Sequence, residues 1–524
     1  MNKHELPYDD IIAALEYVVT RHAERTAVVD GDEGSRLTYE DLWARVESGA
    51  TSLRAAGVST GDRVAIVAEN SPSYLIAVLA VWKVGAVIVT VYPASGSSDM
   101  RYSIELADPV LLLTDGRADL SALPLEQWGI PVASLDNLEV TTPLRTATPA
   151  SPELVARLAM ISFSSGTTSR PKAIMVSRLA VYNCAETYRE VWHLGPDDRT
   201  VVSMPLAWVY GLLSTSLAAL VGGGTLVLLR RGRPEILAAT IAREGGTFLP
   251  GVTATFARLA ETAQTGEDLD WHRTLRLCIS GGEPRNDAAF ARFREVTNVA
   301  VLDAYCASEC LPLVTYDPET DPAPQPGAAG KLVPRAKLKV LRDDGTDADV
   351  DEIGEAFSSG PGLMLGYWGD EKATRKALTD DGWYRTKDLV RVDAKGYVHV
   401  VGRLSDLIIR SGTNVSPAEV EAVLREHPAV ADAGVVGEPD DVYGQNVVAA
   451  VVIRPENSVL PEQLIAFARA RLASYKVPGR VVVVPSLPVG TTGKVSRKEL
   501  LAQLTGAVQP PQPAATTEPC EETA

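Results

Sequence analysis

The run Ile161-Ser162-Phe163-Ser164-Ser165-Gly166-Thr167-Thr168-Ser169-Arg170-Pro171-Lys172-Ala173 is the most informative stretch of the chain. An apolar segment, Leu158 to Phe163, reads as the end of a buried strand. Small hydroxyl-bearing residues, one glycine and two cations follow at once. That combination suits a polyphosphate: glycine lets backbone N–H groups approach, hydroxyls donate, and Arg170 and Lys172 supply charge. It is not a Walker A loop, because Gly166 stands alone where G-x-x-x-x-G-K-[ST] is needed. The same composition also fits a solvated Ser/Thr loop between two strands.

Outward from this run the chain alternates strands and helices. Tyr8 to Ala23 reads as an amphipathic helix and Thr26 to Asp30 as a strand. Thr38 caps a helix through Ala56, with Asp41 completing a capping-box pattern. Further strands are expected at Val64–Ala68, Ala86–Val91, Val110–Thr114, Thr200–Met204, Gly224–Leu229 and Leu275–Ser280. Such alternation predicts parallel sheets covered by helices on both faces. Val140 to Ser151, rich in Thr, Pro and Ala, reads as a surface linker. After Pro322 the texture turns to antiparallel strands around Asp/Gly turns, at Lys337–Leu341 and Tyr397–Val401. Beyond Arg403 a separate α+β unit is expected, with a strong helix start at Ser416-Pro417-Ala418-Glu419. Domain boundaries are therefore expected at 1–403, 404–504 and a Pro/Ala/Thr-rich disordered tail, 505–524.

At 524 residues the chain exceeds one ordinary core. Its 46% hydrophobic and 22% charged residues are a globular profile. A net charge of −17 argues against nucleic acid or anionic membrane as partner, so an anionic substrate needs local cations. The five scattered cysteines suggest reduced thiols and a cytoplasmic location, with no zinc-type spacing. The start, Met1 to Leu6, has no apolar signal segment. The apolar run Tyr74 to Tyr92 is long enough for a membrane span, yet Lys83 and Gly85 interrupt it, and a buried helix leading into a core strand fits better.

Four more stretches suit the same chemistry. Ser280-Gly281-Gly282-Glu283-Pro284 follows a strand and offers bare backbone to a ligand. Leu302-Asp303-Ala304-Tyr305-Cys306-Ala307-Ser308-Glu309 offers an aromatic face for a base and a carboxylate for Mg²⁺. Gly382-Trp383-Tyr384-Arg385-Thr386-Lys387-Asp388 places an aspartate able to accept from two ribose hydroxyls. Gly490-Thr491-Thr492-Gly493-Lys494 is a loop bearing one lysine. Taken singly, Tyr305 also fits a core, Glu309 and Asp388 surface acids, and Lys494 a solvated cation.

In this order and spacing, with Arg403, the motifs resemble the adenylate-forming superfamily of acyl- and aryl-CoA synthetases, free-standing adenylation domains and luciferases. The resemblance spans about Tyr8 to Leu504. It implies an α/β fold: a large N-terminal AMP-binding domain of helix-flanked parallel sheets with a β-barrel-like subdomain, and a small mobile α+β C-terminal domain that rotates between two half-reactions. It implies that a carboxylate attacks the α-phosphorus of ATP, giving acyl-AMP and pyrophosphate, and that a thiol then attacks the acyl-AMP. Ser164, Ser165, Gly166, Thr167, Thr168 and Lys172 would hold the β- and γ-phosphates. Gly281, Asp303, Tyr305 and Ser308 would line the nucleotide, with Tyr305 stacked on adenine. Asp388 and Arg403 would hold the ribose, Glu309 would bind Mg²⁺, and Lys494 would bridge α-phosphate and substrate carboxylate. Lys494, Glu309, Thr168 and Arg403 form the implied catalytic set.

The chain departs from the family pattern at glycine positions. Ser169 and Ala173 replace glycines of T-T-G-x-P-K-G, and Cys306 and Ser308 stand in Tyr-Gly-x-Thr-Glu. Lys387 replaces the glycine of Thr-Gly-Asp, and Ser405 sits at a hinge position where Asp or Lys is usual. The acyl pocket corresponds to Trp208, Val209, Tyr210, Gly282 and Cys306. Trp208 also fits a core aromatic. Val209 stands where α-amino-acid-activating relatives place an aspartate, and a buried ammonium without a carboxylate would be costly. An aryl or medium-sized acyl acid is therefore expected, as in secondary metabolism. For the thiol, coenzyme A is favoured on family frequency, with the phosphopantetheine of an acyl or peptidyl carrier protein as the alternative. Lys476 and Arg480 are either the grip on the CoA nucleotide or solvated charges. A nitrogen acceptor or nitrite activation, and a non-catalytic nucleotide-binding relative, are the other readings.

Overall fold

The computed structural model describes residues 6–164, 170–265, 270–283, 285–410, 413–440, 442–455, 457–489 and 495–506. The chain divides into two compact units between Leu404 and Ser405.

The first unit is α/β, built on two large sheets whose parallel strands arise from the strand–helix alternation. One has seven strands, ordered Gly366–Tyr367, Ala173–Ser177, Leu158–Phe163, Val87–Val91, Arg63–Val67, Leu111–Thr114 and Val132–Ser134. Its pairs are parallel from Leu158–Phe163 onward and antiparallel at the Ala173 and Gly366 edge. The second has nine strands, ordered Lys331–Leu332, Cys310–Thr315, Val301–Ala307, Leu277–Gly281, Phe248–Gly251, Arg199–Val202, Thr225–Leu228, Thr26–Asp30 and Arg36–Thr38. The region after Pro322, expected to be antiparallel, holds a four-stranded antiparallel sheet of Lys337–Leu341, Gly354–Ser359, Tyr384–Val392 and Val398–Arg403.

Local signals explain several element starts. Thr38 and Asp41 form a reciprocal capping box on the helix Tyr39–Ala55. The first helix begins at Ile11 rather than Tyr8, because the Asp10 carboxylate accepts from Ala13 N–H at 2.9 Å and fixes the start there. The apolar run from Tyr74 resolves into the helix Pro72–Lys83, capped by Ser71, and the strand Val87–Val91. Every residue from Tyr74 to Trp82 is buried, which explains a helix without a polar face. Among the described residues no helix is long and apolar enough to cross a membrane.

The second unit pairs a short hairpin, Ile408–Arg410 with Thr413–Val415, and a three-stranded sheet of Val430–Asp440, Gly444–Ile453 and Arg480–Val483. The helices Pro417–Arg425, Pro461–Arg469 and Arg497–Leu504 accompany them. The helix at Pro417 starts where expected, but Ser416 makes no side-chain cap bond. Glu419 is drawn elsewhere, both carboxylate oxygens accepting from Lys476 Nζ at 2.7 Å. Of the expected tail, Thr505 and Gly506 finish the last helix turn, and 507–524 lie outside the described residues.

Candidate active site

The polyphosphate-type run is the connection of a hairpin. Leu158–Phe163 and Ala173–Ser177 pair antiparallel. Ser164 closes the base: its N–H donates to Lys172 O at 2.9 Å and its Oγ accepts from Lys172 N–H at 3.0 Å. Ala173 belongs to the strand and is 2% exposed, so the glycine replacement there stiffens a strand start, not the loop itself. Ser165, Gly166, Thr167, Thr168 and Ser169 lie outside the described residues, as does the loop Gly490 to Lys494. The two cations flanking the run rest on aromatic faces, Arg170 at 5.1 Å from the Tyr102 ring centre and Lys172 at 4.8 Å from that of Tyr367.

Tyr305, Asp388 and Arg403 converge from three strands. Asp388, 4% exposed, accepts from Tyr305 OH at 2.8 Å and from Arg403 Nε at 2.8 Å. A bulge aims it: Glu355 and Phe357 pair with Leu389 and Arg385, so three residues, Thr386, Lys387 and Asp388, face Ala356. Thr386 Oγ1 donates to Ala356 O at 2.8 Å and accepts from Asp388 N–H at 3.0 Å. Lys387, the glycine replacement, holds φ at 62°.

Gly281 ends its strand opposite Ala304, next to Tyr305. A Cβ at Gly281 would lie 2.8 Å from the Tyr210 ring, whereas Gly282, at φ 82°, faces open space. Tyr210 OH donates to Ile279 O at 3.1 Å. Val209 and Tyr210 open a π-helix, Tyr210–Leu217, and Trp208 packs at 5.3 Å on Tyr92. Burial raises the pKa of Cys184, Tyr188 and Tyr210, and Cys306 adds to the rise in each. Cys306 is half-buried and packs against the same apolar core as Val209 and Tyr210.

Asp303 is buried, and burial pushes its pKa up to about 7 although Arg285 stands 3.5 Å away. Ser308 and Glu309 form the turn between Val301–Ala307 and Cys310–Thr315. The Glu309 carbonyl accepts from Met364 N–H at 2.8 Å, and its Oε1 accepts from Tyr367 OH at 2.9 Å. Sequence reasoning missed Tyr367. Its only signal was the tyrosine of a glycine-rich run, Gly360 to Trp368, ahead of the aspartate motif.

The donor set suits Mg²⁺. Among the described residues no group of three or more His, Cys, Asp or Glu is placed to cage a metal. A lone carboxylate sharing an ion with phosphates and water is the arrangement Mg²⁺ tolerates.

A family model described as AMP-binding enzyme matches residues 15–368, and one described as AMP-binding enzyme C-terminal domain matches 419–494. A feruloyl-CoA synthase of Amycolatopsis sp is 33% identical over 489 residues, 91% of this chain and 95% of the relative. ATP-bound MatB from Rhodopseudomonas palustris superposes with a TM-score of 0.84 at 27% identity, covering 95% of this chain and 98% of its own. The amide bond synthetase McbA from Marinactinospora thermotolerans reaches 0.83 at 29% identity, covering 94% and 99%.

Proposed function

The chain belongs to the adenylate-forming, AMP-binding enzymes, and from that premise we propose that it activates an aryl or medium-sized acyl carboxylic acid with ATP and passes the acyl group to coenzyme A. It is a ligase of the AMP-forming acid–thiol kind. The observation carrying the reading is Asp388, a buried carboxylate held by Tyr305 and Arg403. A carboxylate so placed recognises a ribose diol, and Tyr305 offers an aromatic face for the base.

The substrate carboxylate oxygen attacks the α-phosphorus, the bond to the bridging oxygen breaks, and pyrophosphate leaves. Two anions must approach, so fixed cations lower that barrier. Lys172 and Arg403 supply charge from the first unit, and Lys494 supplies the charge at the α-phosphate. Glu309 would hold Mg²⁺, which when bound screens the phosphate oxygens. In the second half-reaction the thiol attacks the acyl carbon and AMP departs. Val209 provides no carboxylate for an α-ammonium, which favours acids without one.

A nitrogen acceptor is the second reading. Lys476 pairs with Glu419 at 2.7 Å and Arg480 with Glu438 at 2.5 Å, so neither cation stands ready for a CoA phosphate. The likeness to an amide bond synthetase points the same way. Pyrophosphate exchange over aryl, acyl and amino acids tests the first step, and aryl acids should be the active group. Mass spectrometry with CoA, a carrier protein or an amine then identifies the acceptor. An amide formed without thioester would replace CoA by nitrogen, and exchange confined to α-amino acids would overturn the acid assignment.

A further inference from the structure

Tyr367 touches both charged groups that the proposed chemistry sets against the phosphates. Its hydroxyl donates to Glu309 Oε1 at 2.9 Å, and its ring carries Lys172 Nζ at 4.8 Å. The residue itself is 4% exposed and firmly placed. Gly366–Tyr367 pairs with Met175 and Ile174, so Tyr367 lies opposite the strand that Lys172 leads into. Gly366 sits at φ 130°, where a Cβ would meet Thr374 Cγ2 at 2.8 Å. Thr374 Oγ1 in turn accepts from Tyr367 N–H at 2.8 Å. The next residue fixes the same edge, Trp368 N–H donating to Ala173 O at 2.8 Å.

Resting on the reading of Glu309 as the magnesium carboxylate, we propose that Tyr367 is a positioning residue that holds Glu309 in its metal-binding orientation and keeps Lys172 perched beside it. A phenol donating to one oxygen fixes the carboxylate plane and leaves acceptor capacity for an ion. The ring face holds an ammonium without forming an ion pair, so Lys172 remains close to Glu309 yet available to a phosphate. One side chain therefore spaces the cation and the carboxylate between which a magnesium nucleotide would enter.

The test is calorimetric binding of ATP to the full chain, once with excess Mg²⁺ and once with EDTA. In the wild type Mg²⁺ tightens ATP binding. Tyr367→Phe keeps the ring and loses the hydroxyl, so it should cut that tightening by about tenfold while binding in EDTA changes by less than about twofold. Tyr367→Leu should weaken binding in EDTA as well, because the perch for Lys172 is gone. Full magnesium-dependent tightening in Y367F overturns the proposal. Glu309→Gln separates the two layers. If E309Q keeps the tightening, the metal assignment of Glu309 fails and Tyr367's role with it. If E309Q loses it and Y367F does not, only the positioning role fails. Should Y367F prove unstable, Thr374→Val disturbs the same ring through its backbone and must reduce the tightening too; no reduction again overturns the proposal.

Discussion

Lys387 occupies a left-handed backbone position, φ 62°, that favours glycine. A non-glycine residue there carries about 1 kcal/mol or more of strain. The bulge demands it, because Asp388 must turn inward to meet Tyr305 and Arg403. Lys387→Gly should therefore be more stable than Lys387→Ala by about 1 kcal/mol, the reverse of the order at an ordinary strand position. Urea melts of the two variants decide it, and an alanine variant equal to or better than glycine would refute the strain. Asp303 makes a second prediction at this scale. Its carboxyl, raised from 3.8 to about 7 by burial, folds more easily when neutral. The stability this confers is complete below 3.8 and is lost as pH rises through about 7. Asp303→Asn stays neutral throughout, so its melting temperature relative to the wild type should climb from about pH 4 to about pH 7 and level off above that. A constant offset across the series would show Asp303 ionised at all these pH values.

The contact between the strand Leu277–Gly281 and the π-helix Tyr210–Leu217 is testable by a cycle. A methyl at Gly281 would meet the Tyr210 ring at 2.8 Å. Gly281→Ala should cost about 1–3 kcal/mol by overpacking and raise the KM for the acid. In a Tyr210→Ala background the same change should cost little, and additive losses would place the strain elsewhere. Elements of this kind mark the limit of what the sequence discloses. The strand Thr26–Asp30 and the capping box at Thr38 were legible because β-branched runs and cap chemistry act locally. The π-helix was not. Its turn holds Gly211 close against Pro205 O, and the Thr215 and Ser216 hydroxyls donate to Gly211 O at 2.8 and 2.7 Å, contacts that no local pattern announces. The antiparallel partner of Leu158–Phe163 and the reach of Tyr367 to Glu309 were equally hidden, since both depend on residues brought together only by the sheet. The capping box expected at Ser416 was lost in the same way, since Glu419 pairs with Lys476, 57 positions away.

At the scale of the molecule, each unit contains its own apolar cores. The first holds clusters centred on residues such as Tyr74, Phe256, Ile104 and Val390. The second holds those around Val435 and Leu500. A unit of the first's size buries most of its chain surface on folding, so it should fold alone. Tyr305, Asp388, Arg403, Glu309 and Lys172 all belong to it, whereas Lys494 belongs to the second. Binding of the nucleotide and its attack by a carboxylate should therefore come apart. Residues 1–404 expressed alone should melt in one cooperative transition that AMP moves upward, as any ligand of the native state alone must. The same fragment should show no pyrophosphate exchange, because the cation proposed for the α-phosphate is missing. Full-length Lys494→Ala should match it, binding AMP normally and losing most exchange, while thiolysis of preformed acyl-AMP survives. A fragment that fails to respond to AMP would remove Asp388, Tyr305 and Arg403 as the nucleotide site. A K494A enzyme that loses both half-reactions equally would remove the role given to Lys494 and leave the nucleotide site standing.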